Sequence, residues 1–334
     1  MQKKNVRAAV FMRIVMVLLL LLISAVPATA AGTLKKVSLI PLWKHQAQFA
    51  GYYVALDKGI YTKNGIDLTI LEGGPEYSPE QYLQSGKADF AVLWLSTAIQ
   101  QRAVGIKLVN VAQIVQRSSM VLIAKKASGI KTIADMQNRK IGVWDNGLNV
   151  TAQEFFRKYQ LRMKIIPNIH TVNLFLLGGI DVASAMWYNE YHTILNSGLN
   201  PDELQLFFLH DYGITFPEDG LYMLEKNYRK DPRLAEAFAK ASLEGWRYAF
   251  DHPDEAIDIV MRYMNKGNIP ANRAHQNWML ARMRDLILPL KSSGVMGQLN
   301  PSDYASVGEL LRSTGIIKAI PGYQDFIGTS HVRK

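Results

Sequence analysis

Cysteine is absent from all 334 residues. That excludes a disulfide framework, and it excludes a lipid anchor on a cysteine after an N-terminal apolar run. Catalytic signatures are equally scarce. The seven histidines (45, 170, 192, 210, 252, 275, 331) share no metal-ligand spacing, and the chain has no Gly-x-Ser-x-Gly elbow, P-loop or dinucleotide fingerprint. Residues 71–78, LEGGPEYS, are glycine-rich but lack the Lys-Ser/Thr pair and the third glycine, so they read as a strand-to-helix turn. No stripe of Lys or Arg interleaved with aromatics argues for nucleic acid. Beyond the first thirty residues, no apolar run approaches the roughly 20 residues needed to cross a bilayer. The expectation is a chain without catalytic residues, metal or cofactor.

What is present begins at the N-terminus. Lys3, Lys4, Arg7 and Arg13 precede IVMVLLLLLISAV, and PATAAG follows, with Ala28 and Ala30 spaced as a signal peptidase accepts. Residues 1–30 read as a cleaved secretory signal, with the cut after Ala30 or Ala31. The mature chain is then expected to be periplasmic, free rather than lipidated, and monomeric. Its formal charge of +10 falls to +6 without the four basic residues of the signal, a modest excess suited to solvated lobes facing an anionic membrane.

From residue 36 short β-rich runs alternate with helical stretches: strands over 36–42, 66–71, 88–94 and 107–115, helices over 49–60, 78–86 and 96–105. This is the pattern of βαβ units and a mostly parallel sheet. A second series follows, with strands over 119–126, 140–144, 181–187 and 204–209 and helices over 132–137, 149–159 and 188–198. Beyond residue 225 long helices take over, broken at His252 and Pro253, and Leu234, Phe238, Ala241, Gly245 and Tyr248 form a packing stripe. The fold class expected is α/β: lobe 1 from 34–115 and 222–334, lobe 2 from 116–221. Two crossings form a hinge, and a helical C-terminal segment packs on lobe 1. A hinge between lobes makes a cleft that closes on a small ligand.

In open α/β sheets ligands bind beyond the carboxyl ends of strands. Five segments occupy such places: LWKHQAQF, LWLST, VWDNG, MWYNEY and, at the return crossing, FPEDG. Four of the five carry a tryptophan, out of six in the chain, and this repetition favours a site over ordinary packing. Indole faces stack on a planar ring, while amides and carboxylates bond its edge. The candidates are Trp43, Gln46 and Gln48 after the first strand, Trp94 and Ser96, Trp144 and Asn146, then Tyr188, Asn189 and Glu190, with Glu218 and Asp219 at the crossing. Phe49, Tyr52, Tyr53, Leu56 and Ile60 follow helical spacing as a buried face, although Tyr52, near the helix start, is within reach of the cleft. Glu190 is either a helix-start carboxylate or the acceptor for an amino group and a protonated ring nitrogen, and the second reading is favoured.

The stretches 43–75, 86–99, 105–126, 141–147, 181–191 and 217–225 resemble periplasmic binding proteins of ABC importers, in the branch of thiamine-pyrimidine precursor synthases and binding proteins. The resemblance implies a type II periplasmic binding protein fold and capture of an aminopyrimidine, such as formylaminopyrimidine or hydroxymethylpyrimidine, for an inner-membrane ABC permease. It also implies ligand contacts from Trp43, Gln48, Trp94, Ser96, Trp144, Tyr188 and Glu190, with Glu218 and Asp219 at the crossing. Two departures stand out. The eukaryotic synthase members use a cysteine-rich segment with iron, and this chain has no cysteine; in addition, VWDNGLNV replaces the more usual glycine-rich stretch. Two alternatives remain open: a sulfonate or nitrate receptor of the same fold, using Ser96 and Thr97 at a helix N-terminus or Arg117, and a pyrimidine synthase using His45 or His170.

Overall fold

The structure is a computed structural model, and it describes residues 33–144, 149–167, 171–288 and 295–328. Residues 1–30, expected as a signal, together with Asn146 and His170, lie outside the described residues. Among the described residues no helix is long and apolar enough to cross a membrane.

Two five-stranded sheets organise the chain from Lys35 onward. The first contains β1 (Lys35–Ile40), β2 (Ile66–Ile70), β3 (Phe90–Trp94), β4 (Leu108–Gln113) and β10 (Asp219–Leu224), in the order β2-β1-β3-β10-β4. The second contains β5 (Met120–Lys125), β6 (Lys140–Val143), β7 (Lys164–Pro167), β8 (Val182–Met186) and β9 (Leu204–Phe208), in the order β7-β6-β8-β5-β9. The principal helices are α1 (Ala50–Asp57), α2 (Pro79–Ser85), α3 (Leu95–Ala103), α4 (Asn149–Lys158), α5 (Glu190–Asn196), α6 (Pro232–Asp251), α7 (Pro253–Lys266), α8 (Arg273–Ile287) and α9 (Pro301–Ser313).

The sheets are mixed rather than mostly parallel. β1 runs parallel to β2 and β3, and β6 parallel to β7 and β8, whereas β10 is antiparallel to β3 and β4, and β5 to β8 and β9. The reason is connectivity. β5 and β10 are the strands that follow the two crossings, so each enters its sheet from the other half, without the helical crossover that enforces parallel pairing. The chain re-enters the first sheet at Asp219, ahead of the 221/222 boundary read from the sequence.

The crossings are bound to each other. Ile114 and Val115 N–H donate to the Asp219 carbonyl at 3.1 and 2.9 Å, and Glu218 N–H donates to the Val115 carbonyl at 3.2 Å. The buried Glu218 carboxylate accepts from Ser118 Oγ (3.0 Å), Ser119 N–H (2.7 Å) and Ser119 Oγ (2.7 Å).

Local chemistry places the helices. Ser78 Oγ accepts from Gln81 N–H at the start of α2, and Gly86, with φ of 73°, stops it. The expected helix over 49–60 divides, because Gly59 takes φ of 67° and begins a separate turn at Ile60. The expected helix over 132–137 is only a 3-10 turn at Ala134–Met136, and Asp135 Oδ2 closes its start by accepting from the N–H groups of Lys131 (3.0 Å) and Thr132 (2.7 Å). In the α6 stripe Phe238, Ala241 and Gly245 are buried while Leu234 and Tyr248 are half-buried; Phe238 stacks on Phe90 at 3.9 Å. Gly245 is required by a close helix approach: a Cβ there would sit 2.1 Å from the Gly51 carbonyl of α1.

Candidate functional site

The loops after β1, β3, β6 and β8 converge between the two sheets, as the pairing of their carboxyl ends dictates. They enclose a small cleft of about 100 Å³, partly open to solvent, lined by Leu42, Trp43, Gln46, Gln48, Trp94, Trp144, Met186, Tyr188, Asn189 and Glu190. Trp43, Trp94, Trp144 and Tyr188 supply aromatic surface. Among the described residues lining the cleft there is no Lys or Arg, and Glu190 is the sole carboxylate.

The polar groups are ordered by their own contacts. Gln46 Nε2 donates to Gln48 Oε1 at 2.6 Å, and Gln48 Nε2 donates to Asp219 Oδ2 at 2.8 Å. Glu190 opens α5, where Oε2 accepts from Met186 N–H (2.9 Å) and Oε1 from Asn189 Nδ2 (2.9 Å). Burial pushes the Glu190 carboxyl above its ordinary range, and these hydrogen bonds to the charged form oppose the shift. Its remaining acceptor capacity faces a cleft that no Lys or Arg lines among the described residues. The buried indole N–H of Trp94 has no acceptor among the described residues. A ligand carrying an acceptor would satisfy it.

Four expected residues do not line the cleft. Tyr52 is fully buried beneath the site, edge-on to Trp246 at 6.0 Å, and its neighbour Tyr53 is taken up by His45 Nδ1 at 2.8 Å and by stacking on Tyr263. Ser96 is buried within the first turn of α3. Glu218 and Asp219 sit one layer behind the cleft wall. Burial raises both carboxyls to about 7, with Ser119 opposing the shift at Glu218 and Gln48 opposing it at Asp219. Of the four strand-end tryptophans, Trp187 departs from the cleft and packs against Phe208 and beneath Arg282. Leu42 and Met186 were absent from the sequence reading because neither carries a hydrogen-bonding group that would single it out. Met186 is legible only as the last residue of β8.

With the geometry in place, comparison with known proteins gives a consistent picture. A model of the family described as NMT1/THI5 like matches residues 46–256. A Haemophilus influenzae protein named for thiamine biosynthesis is 25% identical over 289 residues, covering 85% of this chain and 88% of its own. The formylaminopyrimidine-binding protein of Halalkalibacterium halodurans is 21% identical over 246 residues, covering 71% of this chain and 73% of its own. The crystal structure of the periplasmic aliphatic sulphonate binding protein of Escherichia coli aligns with a TM-score of 0.69 at 14% identity, over 90% of this chain and 99% of that one. The fold is that of periplasmic binding proteins, as the sequence resemblance implied.

Proposed function

The chain belongs to the NMT1/THI5-like family, and we propose that within it this protein is a periplasmic solute-binding protein for a thiamine pyrimidine precursor, which it delivers to an ABC permease. The observation that carries the reading is the cleft's composition: a single carboxylate, Glu190, among three indoles and Tyr188, with no basic side chain among the described lining residues. An aminopyrimidine matches it in shape and charge. Its ring stacks on indole, its amino group and protonated ring nitrogen donate to Glu190, and Gln46, Gln48 and Asn189 serve its remaining polar edge.

The role is capture without turnover. His45 is buried against Tyr53 rather than in the cleft, so it is not placed to act on a cleft-bound ring. An alkanesulfonate ligand would need a cation or free helix N–H groups at the cleft, and Ser96 does not line it.

The test is titration of the purified mature chain with 4-amino-5-hydroxymethyl-2-methylpyrimidine, formylaminopyrimidine and an alkanesulfonate, followed by tryptophan fluorescence and calorimetry. Micromolar binding of a pyrimidine, insensitive to chelators and leaving the ligand chemically unchanged, supports the reading. A thermal shift with the sulfonate alone would refute it.

A further inference from the structure

Three amides line the cleft, and their hydrogen bonds do not leave them equivalent. Asn189 gives Nδ2 to Glu190 Oε1 at 2.9 Å and turns Oδ1 toward His275 Nε2, 3.0 Å away. Gln48 gives Nε2 to Asp219 Oδ2 at 2.8 Å, and its Oε1 accepts from Gln46 Nε2 at 2.6 Å. The oxygens of both amides are therefore engaged within the protein. Gln46 differs. Its Nε2 is bound to Gln48, its side chain does not cap the 3-10 turn Ala47–Phe49 that follows it, and its Oε1 has no hydrogen-bond partner among the described residues.

The direction of this relay is set at its far end. An ionised Asp219 can only accept, so Gln48 must turn its nitrogen to it and its oxygen to Gln46, and Gln46 must answer with an N–H. Turning either amide alone would set oxygen against oxygen. The three side chains are withdrawn from water, with Gln46 9%, Gln48 3% and Asp219 4% exposed, so such a clash would not be relieved by solvent. Asp219 is itself fixed, because its carbonyl accepts from Ile114 and Val115 N–H at the first crossing. What reaches the cleft from this wall is the Gln46 oxygen with both lone pairs free.

We propose that Gln46 determines which side group the ligand carries: its Oε1, held in place through Gln48 by Asp219, accepts a hydrogen bond from a hydroxyl or amide N–H attached to the methylene on the ligand ring. The assignment rests on the reading of the cleft as an aminopyrimidine site. In that reading Glu190 takes the amino group and the protonated ring nitrogen. The donor left over is the O–H of a hydroxymethyl group or the N–H of a formylaminomethyl group, and one acceptor serves both. Gln46 follows β1 of the first sheet, whereas Glu190 follows β8 of the second. A single ring with donors for both residues therefore bridges the two halves, while a ring whose side group carries only an acceptor sets oxygen against oxygen at Gln46.

The test compares three ligands of similar size: 4-amino-5-hydroxymethyl-2-methylpyrimidine, its 5-methyl analogue, which lacks the donor, and its 5-formyl analogue, which has only an acceptor there. Dissociation constants are measured by calorimetry on the purified protein at about pH 8.5. Burial raises the Asp219 carboxyl to about 7, and a proton on the oxygen facing Gln48 would permit the reverse relay, so the measurement is made with Asp219 ionised. Wild type should bind the alcohol about 3- to 10-fold more tightly than either analogue, the scale of one neutral hydrogen bond. Gln46→Met, which removes the acceptor at nearly constant volume, should bring the three compounds within about twofold of one another and leave the 5-methyl compound's Kd nearly unchanged. Gln48→Met, which frees Gln46 to present its N–H, should move the aldehyde toward the alcohol in relative affinity.

Equal binding of the alcohol and the 5-methyl compound by wild type, an aldehyde bound as tightly as the alcohol, or an undiminished preference in Gln46→Met overturns the proposal while leaving the pyrimidine reading in place. If none of the three compounds binds, the pyrimidine reading fails and this assignment fails with it.

Discussion

Replacing Glu190 by Gln tests the ligand reading most directly, because the change is nearly isosteric and the surroundings of the carboxylate are known. Two of its acceptor positions are filled from within the protein, by Met186 N–H and Asn189 Nδ2, each at 2.9 Å. The rest are available for donors on the ligand. A charge-assisted pair of hydrogen bonds in a desolvated site contributes on the order of 1.5–3 kcal/mol over a neutral acceptor. That corresponds to a dissociation constant roughly 10- to 150-fold weaker for the aminopyrimidine. The raised Glu190 pKa adds a pH signature. Wild-type affinity should fall with acid at a higher pH than an ordinary glutamate would dictate, and the Gln variant should lack that limb.

Calorimetry at neutral pH and across the acid range is the assay, with thermal unfolding as a control for the strain of an Nε2 group facing Asn189. A dissociation constant unchanged by Glu190→Gln in a folded variant would falsify the assignment of this carboxylate to the ligand. A loss of affinity shared equally by uncharged ring compounds without an amino group would also contradict it.

Three other outcomes follow from the packing and the buried acids. Gly245→Ala should destabilise the protein by about 1–3 kcal/mol or more, read as a lowered denaturant midpoint, since its methyl would lie 2.1 Å from the Gly51 carbonyl. Asp219 has a folded-state pKa raised to about 7 against an ordinary 3.8, so its stabilising contribution is present in acid and lost as pH rises through about 7. Asp219→Asn, which still accepts from Gln48, should flatten that dependence and gain about 1–2 kcal/mol at pH 8 relative to wild type; a parallel pH profile for the two proteins would refute it. Trp94→Phe should keep the ring stack but lose the indole donor, weakening a ligand that carries an acceptor by about 0.5–1.5 kcal/mol while leaving the thermal midpoint nearly unchanged.

Strand-end loops were legible in the sequence because the switch from period-2 runs to helical spacing marks where a strand stops, and polar or indole residues there have no packing role along the strand. Trp43, Trp94, Trp144 and Glu190 stand at such places, and each lines the cleft. Which strands pair was not legible, since β5 and β10 carry the same apolar character as their neighbours and only the crossings determine their direction. The position of Tyr52 was ambiguous for a related reason: α1 is covered by α6 through the Gly51–Gly245 approach, so nearly its whole circumference is buried and helical periodicity could not tell core from cleft. The acidic pair at the crossing announced itself as polar, but its distance behind the wall depends on Gln48 and Ser119, which lie far away in the chain. Asn189 and His275 are 86 residues apart, and no spacing draws attention to the bond that engages the Asn189 oxygen.

The tie between Gln48 and Asp219 bears on how such a cleft can change its ligand. Asp219 accepts from a cleft-lining side chain, and its carbonyl receives two backbone bonds from the first crossing. Chemical identity at this wall and stiffness at the pivot are therefore set by the same residue. An alteration of Gln48 that suited a new ligand would also disturb the residue that ties the two crossings together, so selectivity and the joint between the halves could not be adjusted there one at a time. Trp43 and Trp144 line the cleft from other loops, away from the pivot. They are the positions at which a change of ligand would leave the mechanics intact.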